Sequence, residues 1–137
     1  MQTETTLSRF SPMGPNLNRT ALRQMIDEAR AEASHDGWYG EWSKAVDEDI
    51  HHGALEFIER LPADVPEPEI AAEPDGEIGF EWRLKPRHVF GVSIGKGARL
   101  SYSGLYGESR TCGMEFLRDS IPDIILYNLQ RLYAAGL

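Results

Sequence analysis

Glu77-Ile-Gly-Phe-Glu-Trp-Arg-Leu84, His88-Val-Phe-Gly-Val-Ser-Ile94 and Arg99-Leu-Ser-Tyr-Ser-Gly-Leu-Tyr106 are the segments that decide the fold. In each, large apolar residues alternate with small or polar ones, the period of a strand with one face covered and one open. The connections are short: Lys85-Pro86 after the first, and Gly95-Lys96-Gly97 after the second. Short turns between alternating segments predict an antiparallel meander.

Working outward, the pattern predicts strands over residues 69–72, 77–84, 87–94, 98–105 and 110–116, with Asp75-Gly76 as a hairpin turn between the first two. If residues 69–72 are irregular, the sheet has four strands. Ile78, Phe80, Trp82, Leu84, Phe90, Val92, Ile94, Leu100 and Tyr102 are expected on a buried face. Cys112, Met114 and Phe116 are assigned to the same face. The opposite face carries Gly79, Gly91, Ser93, Ser101, Ser103 and Gly113, small enough to let another surface approach closely.

Helical spacing of Leu22, Met25, Ile26, Ala29 and Ala33 predicts a first helix over residues 20–33, capped by Asn18 or Thr20. Ile50, Ala54, Phe57, Ile58 and Leu61 mark a second, begun by Asp47 or Glu48 and stopped by Pro62. The proline-rich stretch after it reads as a stiff extended connector. Ile121, Ile125, Leu129 and Leu132 mark a third over residues 121–134, with Ser120 as its cap. The predicted class is therefore α+β: two N-terminal helices, a five-stranded antiparallel meander and a C-terminal helix, the helices on one sheet face. Residues 1–15 read as a flexible tail and 16–137 as a single domain.

The composition of the 137 residues, 41% hydrophobic and 26% charged, is that of a globular chain. Nothing in it resembles a secretory signal or a membrane span, and the one cysteine excludes an internal disulfide. These features point to the cytoplasm. The net charge of −8 argues against nucleic acid as a direct partner. The charge is unevenly spread. Residues 47–81 hold twelve acids and one base, a balance of −11, whereas residues 82–110 hold six bases and one acid, a balance of +5. Either the two segments attract each other within the fold, or the first is an acidic face for a basic partner.

Residues 34–44, Ser-His-Asp-Gly-Trp-Tyr-Gly-Glu-Trp-Ser-Lys, set Trp38, Tyr39 and Trp42 between glycines. They either plug one end of the core or form a contact surface. Asp47, Glu48, Asp49, His51 and His52 are the densest set of potential metal ligands. Two ligands per helical face fall short of the three or four a zinc or iron site needs, so no metal is expected. Cys112 with His88 or His35 could act as nucleophile and base, but its place in a strand reads as a buried, inert thiol. Glu77 and Glu81 share one strand face and could act as acid and base. The plainer reading pairs them with Arg83 or Arg99. No cofactor motif is present.

At Leu61-Pro62, Pro66-Glu-Pro-Glu-Ile70, Pro74-Asp-Gly-Glu-Ile-Gly-Phe-Glu-Trp82, Val92-Ser-Ile-Gly95 and Leu100-Ser-Tyr-Ser-Gly-Leu-Tyr-Gly107, the chain resembles a family of small bacterial proteins of unknown function. The likeness spans residues 36–132. It departs at Gly37-Trp-Tyr-Gly-Glu-Trp-Ser43, where the family carries a Trp-Asp-Gly-Tyr-Gly-Ala-like segment. The resemblance implies no activity, only a bacterial cytoplasmic protein encoded on mobile elements.

Together these readings favour a non-catalytic acidic protein that binds and inhibits a basic protein such as a nucleic-acid-binding toxin or a defence complex. Antitoxins, immunity proteins and phage-encoded counter-defence inhibitors such as anti-CRISPR proteins are of this class. The expected contact residues are Trp38, Tyr39, Trp42, Asp47, Glu48, Asp49, Glu56, Glu77 and Glu81. Two alternatives stand beside it. One is a small enzyme or ligand-binding domain using the aromatic loop with Glu77 and Glu81. The other is a structural homodimer through the small polar sheet face.

Overall fold

The computed structural model describes residues 17–136, so the tail expected over residues 1–15 lies outside the described residues. The chain runs α1 (Arg19–Glu32), α2 (Glu48–Arg60), β1 (Glu69–Ala72), β2 (Ile78–Lys85), β3 (His88–Gly95), a 3-10 turn (Lys96–Ala98), β4 (Arg99–Tyr106), β5 (Ser109–Phe116) and α3 (Asp123–Gly136). The strands form one antiparallel sheet in chain order. β1 pairs with β2 through all four of its residues, so the sheet has five strands and not four. The class is the α+β meander that the alternation predicts.

Register makes the alternation into a core. Ile78 faces Ile94, Phe80 faces Val92 and Trp82 faces Phe90 across β2 and β3. Ile94 in turn faces Leu100 across β3 and β4. All seven are essentially inaccessible to solvent. Each such side chain contributes about 1.5–3 kcal/mol of hydrophobic stabilisation relative to exposure. α2 and α3 cover this face, and α1 packs against α2 and β1. Phe57 of α2 meets Phe80 with ring centroids 4.8 Å apart. The proline connector has a specific role here. The carbonyl of Pro66 accepts the Trp82 indole N–H at 2.7 Å, giving a buried donor its partner.

Helix ends follow local chemistry. Asn18 caps α1 by accepting the Ala21 N–H, and Asp47 caps α2 by accepting the Ile50 N–H, each at 3.0 Å. The guanidinium of Arg19 donates to the carbonyls of Ile58 and Leu61, which the end of α2 leaves without helical partners. Met25, placed on the buried stripe of α1, is 39% exposed instead. α3 starts at Asp123, later than the spacing predicts, and Ser120 is not its cap. A residue before proline is steered away from helical backbone, and Ile121 lies outside the helix ahead of Pro122. The Pro122 carbonyl then receives the first helical bond, from Ile125 at 3.0 Å.

One assignment is reversed. The β4–β5 connection is the two-residue turn Gly107-Glu108, which pairs Tyr106 with Ser109, Ser103 with Cys112 and Ser101 with Met114. Partners across a ladder share a face. Cys112, Met114 and Phe116 therefore lie on the open face and are exposed, with Met114 at 56%. Ser109, Thr111, Gly113 and Glu115 take the helix-side face. Alternation alone cannot say which half of a strand points inward, and a shift of one residue exchanges the faces.

Two polar anchors tie helices to sheet. Asp47 also accepts from Lys96 at 2.6 Å, and Asp49 accepts the Gly97 N–H at 2.9 Å, so the start of α2 grips the β3–β4 turn. The Lys96 hydrogen bond holds the Asp47 carboxyl below its ordinary value of 3.8. A carboxyl with a depressed folded value stabilises above its unfolded value, and that stability is lost as pH falls. The second anchor is Tyr106. Its hydroxyl donates to Oδ1 of the buried Asn128 at 2.7 Å, and Asn128 donates to the Ile124 carbonyl at 2.8 Å. Burial raises the Tyr106 phenol to about 12.

Urea unfolding is expected to show Asp47→Ala costing about 1 kcal/mol and Asp47→Asn only a few tenths, because asparagine still caps. The difference between wild type and Asp47→Asn should shrink to nothing as pH is lowered below 3.8; a constant difference would assign it to packing. Tyr106→Phe is expected to cost about 1–3 kcal/mol, since it strips a buried amide oxygen of its donor. An unchanged unfolding midpoint would show that Asn128 finds another partner.

Candidate functional site

The aromatic loop joins α1 to α2 and is held by its own backbone. Gly37 N–H donates to the Ser43 carbonyl at 3.0 Å and Ser43 N–H to the Gly40 carbonyl at 2.8 Å. The buried Ser43 hydroxyl accepts the Tyr39 N–H at 2.9 Å and donates to the Gly40 carbonyl at 2.7 Å. Gly37 and Gly40 have φ of +87° and +157°, values that side chains rarely adopt. Within this frame Trp38 is half-buried, packs against the core and donates to the Lys44 carbonyl at 2.7 Å. Tyr39 and Trp42 are each 65% exposed. Their rings meet edge-on at 6.3 Å, and Tyr39 also lies 5.5 Å from Trp38. Trp38 thus plugs the core while Tyr39 and Trp42 present a surface.

The loop rests on the β1–β2 turn. Lys44 N–H donates to the Pro74 carbonyl at 2.7 Å. Gly76, at φ +92°, lies so close that a Cβ there would come within 2.8 Å of the Ala45 carbonyl oxygen. The aromatic loop and the acidic turn are therefore neighbours. Glu73, Asp75 and Glu77 of this turn bring one carboxylate oxygen each to within 4.8 Å of one another, the spacing a cation would need. Glu77 is already bound by Arg99, which also donates to Ser101 at 3.0 Å. Glu73 is half-buried and accepts from the Ser93 hydroxyl at 2.8 and 3.0 Å. Burial is the main reason its carboxyl is raised above the ordinary range, with Asp75 and Glu77 adding to it.

The other expected residues disperse. Asp47 and Asp49 are committed to the β3–β4 turn, Glu81 to Arg83 at 2.7 Å, and Glu56 to Arg60 at 3.0 Å and His52 at 3.2 Å. Glu48 is exposed. His51 reaches across to α1, bonding Asp27 at 2.8 Å and Arg30 at 3.2 Å, so the histidines of α2 do not converge on a common point. Cys112 lies on the open sheet face, whereas His88 pairs with Tyr106 on the other. The attraction between the acidic and basic segments is realised in the pairs Asp47–Lys96, Glu77–Arg99 and Glu81–Arg83.

The open face holds a groove of about 730 Å³. Its floor is the small set Gly79, Gly91, Ser93, Ser101 and Ser103. Glu69, Glu73 and Glu81 line one side, and Arg110 and Cys112 the other. Trp38 and Glu77 do not line it, so the loop and the two glutamates do not form one pocket. Sequence reading missed Glu73. Its signal was the repeat of Glu on both sides of the Pro-Asp-Gly turn, but burial of the first came from the register of β1. No protein-family model, curated protein or solved structure matches this chain. Among the described residues, no helix is long and apolar enough to cross a membrane.

Because the folded value of Glu73 is raised, ionising it costs stability, and the cost grows as pH rises through that value. Glu73→Gln keeps the acceptor for Ser93 and removes the charge. Its stability relative to wild type is expected to rise between pH 4 and pH 7 in denaturant titrations; a pH-independent difference would show that Glu73 ionises there as freely as in the unfolded chain.

Proposed function

We propose that this chain is a non-catalytic interaction protein that docks a basic protein partner through the aromatic loop and the acidic turn beside it. The observation that carries the proposal is the pair Tyr39 and Trp42, held edge-on and exposed on a loop whose backbone is fastened at both ends. Rings fixed in this way lose little entropy on binding, and aromatic residues dominate the energetics of protein interfaces. Asp75 is exposed on the adjoining turn and Glu41 within the loop, which suits a partner of opposite charge. In this reading the chain blocks a basic, nucleic-acid-binding protein in the cytoplasm, as an antitoxin, immunity protein or counter-defence inhibitor does. Glu48 remains available at the start of α2, whereas Asp47 and Asp49 serve the fold.

The test is reconstitution with basic, nucleic-acid-binding proteins encoded by neighbouring genes. Calorimetry is expected to give a stoichiometric complex weakened by salt, with Trp42→Ala and Tyr39→Ala each costing about tenfold or more in affinity. Both rings are exposed, so the variants should unfold at the wild-type midpoint. A complex indifferent to both substitutions would remove the loop from the interface.

A further inference from the structure

Among the described residues, the outer strand of the sheet, β5, is paired on one side only, with β4. It is eight residues long, and most of its side chains are exposed. Sheet edges are ordinarily protected by shortness, charge, proline, a bulge or a covering element. β5 is not short and has no lysine, proline or bulge; its charges are Arg110 on the open face and Glu115 on the other, and its ladder with β4 is regular throughout. It carries instead Cys112, Met114 and Phe116 on one exposed face. The other edge is handled differently: β1 has four residues and α1 packs beside it.

We propose that β5 is a dimerisation edge, pairing antiparallel with β5 of a second copy about a two-fold axis at Gly113. The hydrogen-bond phase of the hairpin selects this register. A two-residue turn makes Tyr106 and Ser109 a hydrogen-bonded pair, so Ser109, Thr111, Gly113 and Glu115 direct their N–H and C=O groups to β4. Arg110, Cys112, Met114 and Phe116 direct theirs outward. A two-fold axis normal to the sheet keeps faces matched only if it passes through a residue position. Centred on Gly113, it sets Cys112 against Met114 and Arg110 against Phe116 of the other copy, and every outward group of those four residues is paired. Centred on Cys112, it leaves Phe116 opposite the turn residue Glu108. Centred on Met114, it opposes Arg110 to Arg118.

Side chains fit the same register. On the open face, Cys112 and Met114 from both copies form one apolar stripe, and each Phe116 gains the guanidinium of the opposite Arg110, a cation–π arrangement. On the other face Thr111 stands across from Glu115 and glycine from glycine. Glu108 of one copy comes opposite Arg118 of the other at both ends, so the charges are complementary about the axis. Because α1 covers β1, the assembly closes at two copies and does not grow. The result is a continuous ten-stranded sheet, twice the five of one copy. Its two open-face grooves meet across the axis, since Arg110, Thr111 and Cys112 line each of them. This interface is the sheet edge, not the sheet face, and it leaves the aromatic loop free.

The full chain is expected to run in light scattering as a dimer of the 15.4 kDa protomer, dissociating on dilution. Met114→Pro removes one outward N–H and no bond to β4, and should give a folded monomer. Met114→Lys, which alters only an exposed side chain, should raise the dissociation constant about tenfold or more and guards against a proline variant that fails to fold. In a mixed-label sample, a Gly113 Hα–Hα contact between copies is expected, because that pair is the closely spaced, non-hydrogen-bonded one. A monomer at all concentrations overturns the proposal. So does a dimer that survives both substitutions, or one whose intermolecular contact centres elsewhere.

Discussion

Burial of the Trp82 face of the sheet is the constraint on which the rest of the molecule depends. Ile78, Phe80 and Trp82 point the same way because strand side chains alternate, and the register with β3 sets Ile94, Val92 and Phe90 opposite them. Such a face must be covered, and α2 and α3 do so with Phe57, Ile58, Ile125 and Leu129, all fully buried. The indole N–H of Trp82 also has to be satisfied. That need fixes the path of the proline connector past the β1–β2 edge through the Pro66 carbonyl.

Charge organises the second level. The chain separates acids and bases along its length, and the fold brings part of each together. Asp47 and Asp49 hold the β3–β4 turn against α2, while Glu77 holds Arg99 across the start of the open face. Exposed pairs of this kind contribute little energy singly. Their larger effect is positional, since they set where α2 begins and how the turn above it sits. Of the exposed acids, Glu41 lies in the aromatic loop and Asp75 on the turn that supports it, where its carboxylate also accepts the Glu77 N–H at 3.0 Å.

The molecule therefore presents three unlike surfaces on one scaffold. The aromatic loop is rigid and apolar at its tip with acids beside it. The open face is a groove floored by glycine and serine. The β5 edge, among the described residues, is a strand paired with β4 on one side only. None of the three shares its exposed residues with the core, so each can be altered without loss of the fold. Trp38 is the exception: it belongs to the loop and also packs against the core.

Sequence alone determined the class, the order of the strands, the Asp47 cap of α2 and most of the buried set on β2 and β3. These depend on local periodicity and capping, which need no knowledge of distant neighbours. Whether residues 69–72 made a fifth strand, and whether Asn18 or Thr20 capped α1, the sequence left open. Tertiary structure decided the remainder. The face taken by Cys112, Met114 and Phe116 hung on the phase of a two-residue turn, because alternation is symmetric between faces. The late start of α3 came from the restriction that Pro122 places on Ile121. The half-burial of Glu73, and its meeting with Ser93 twenty residues on, came from β1 adding to β2. Whether Trp38, Tyr39 and Trp42 face core or water could not be read from their types, since aromatic rings serve both. The glycines and Ser43 settled it by turning the loop so that only Trp38 reaches inward.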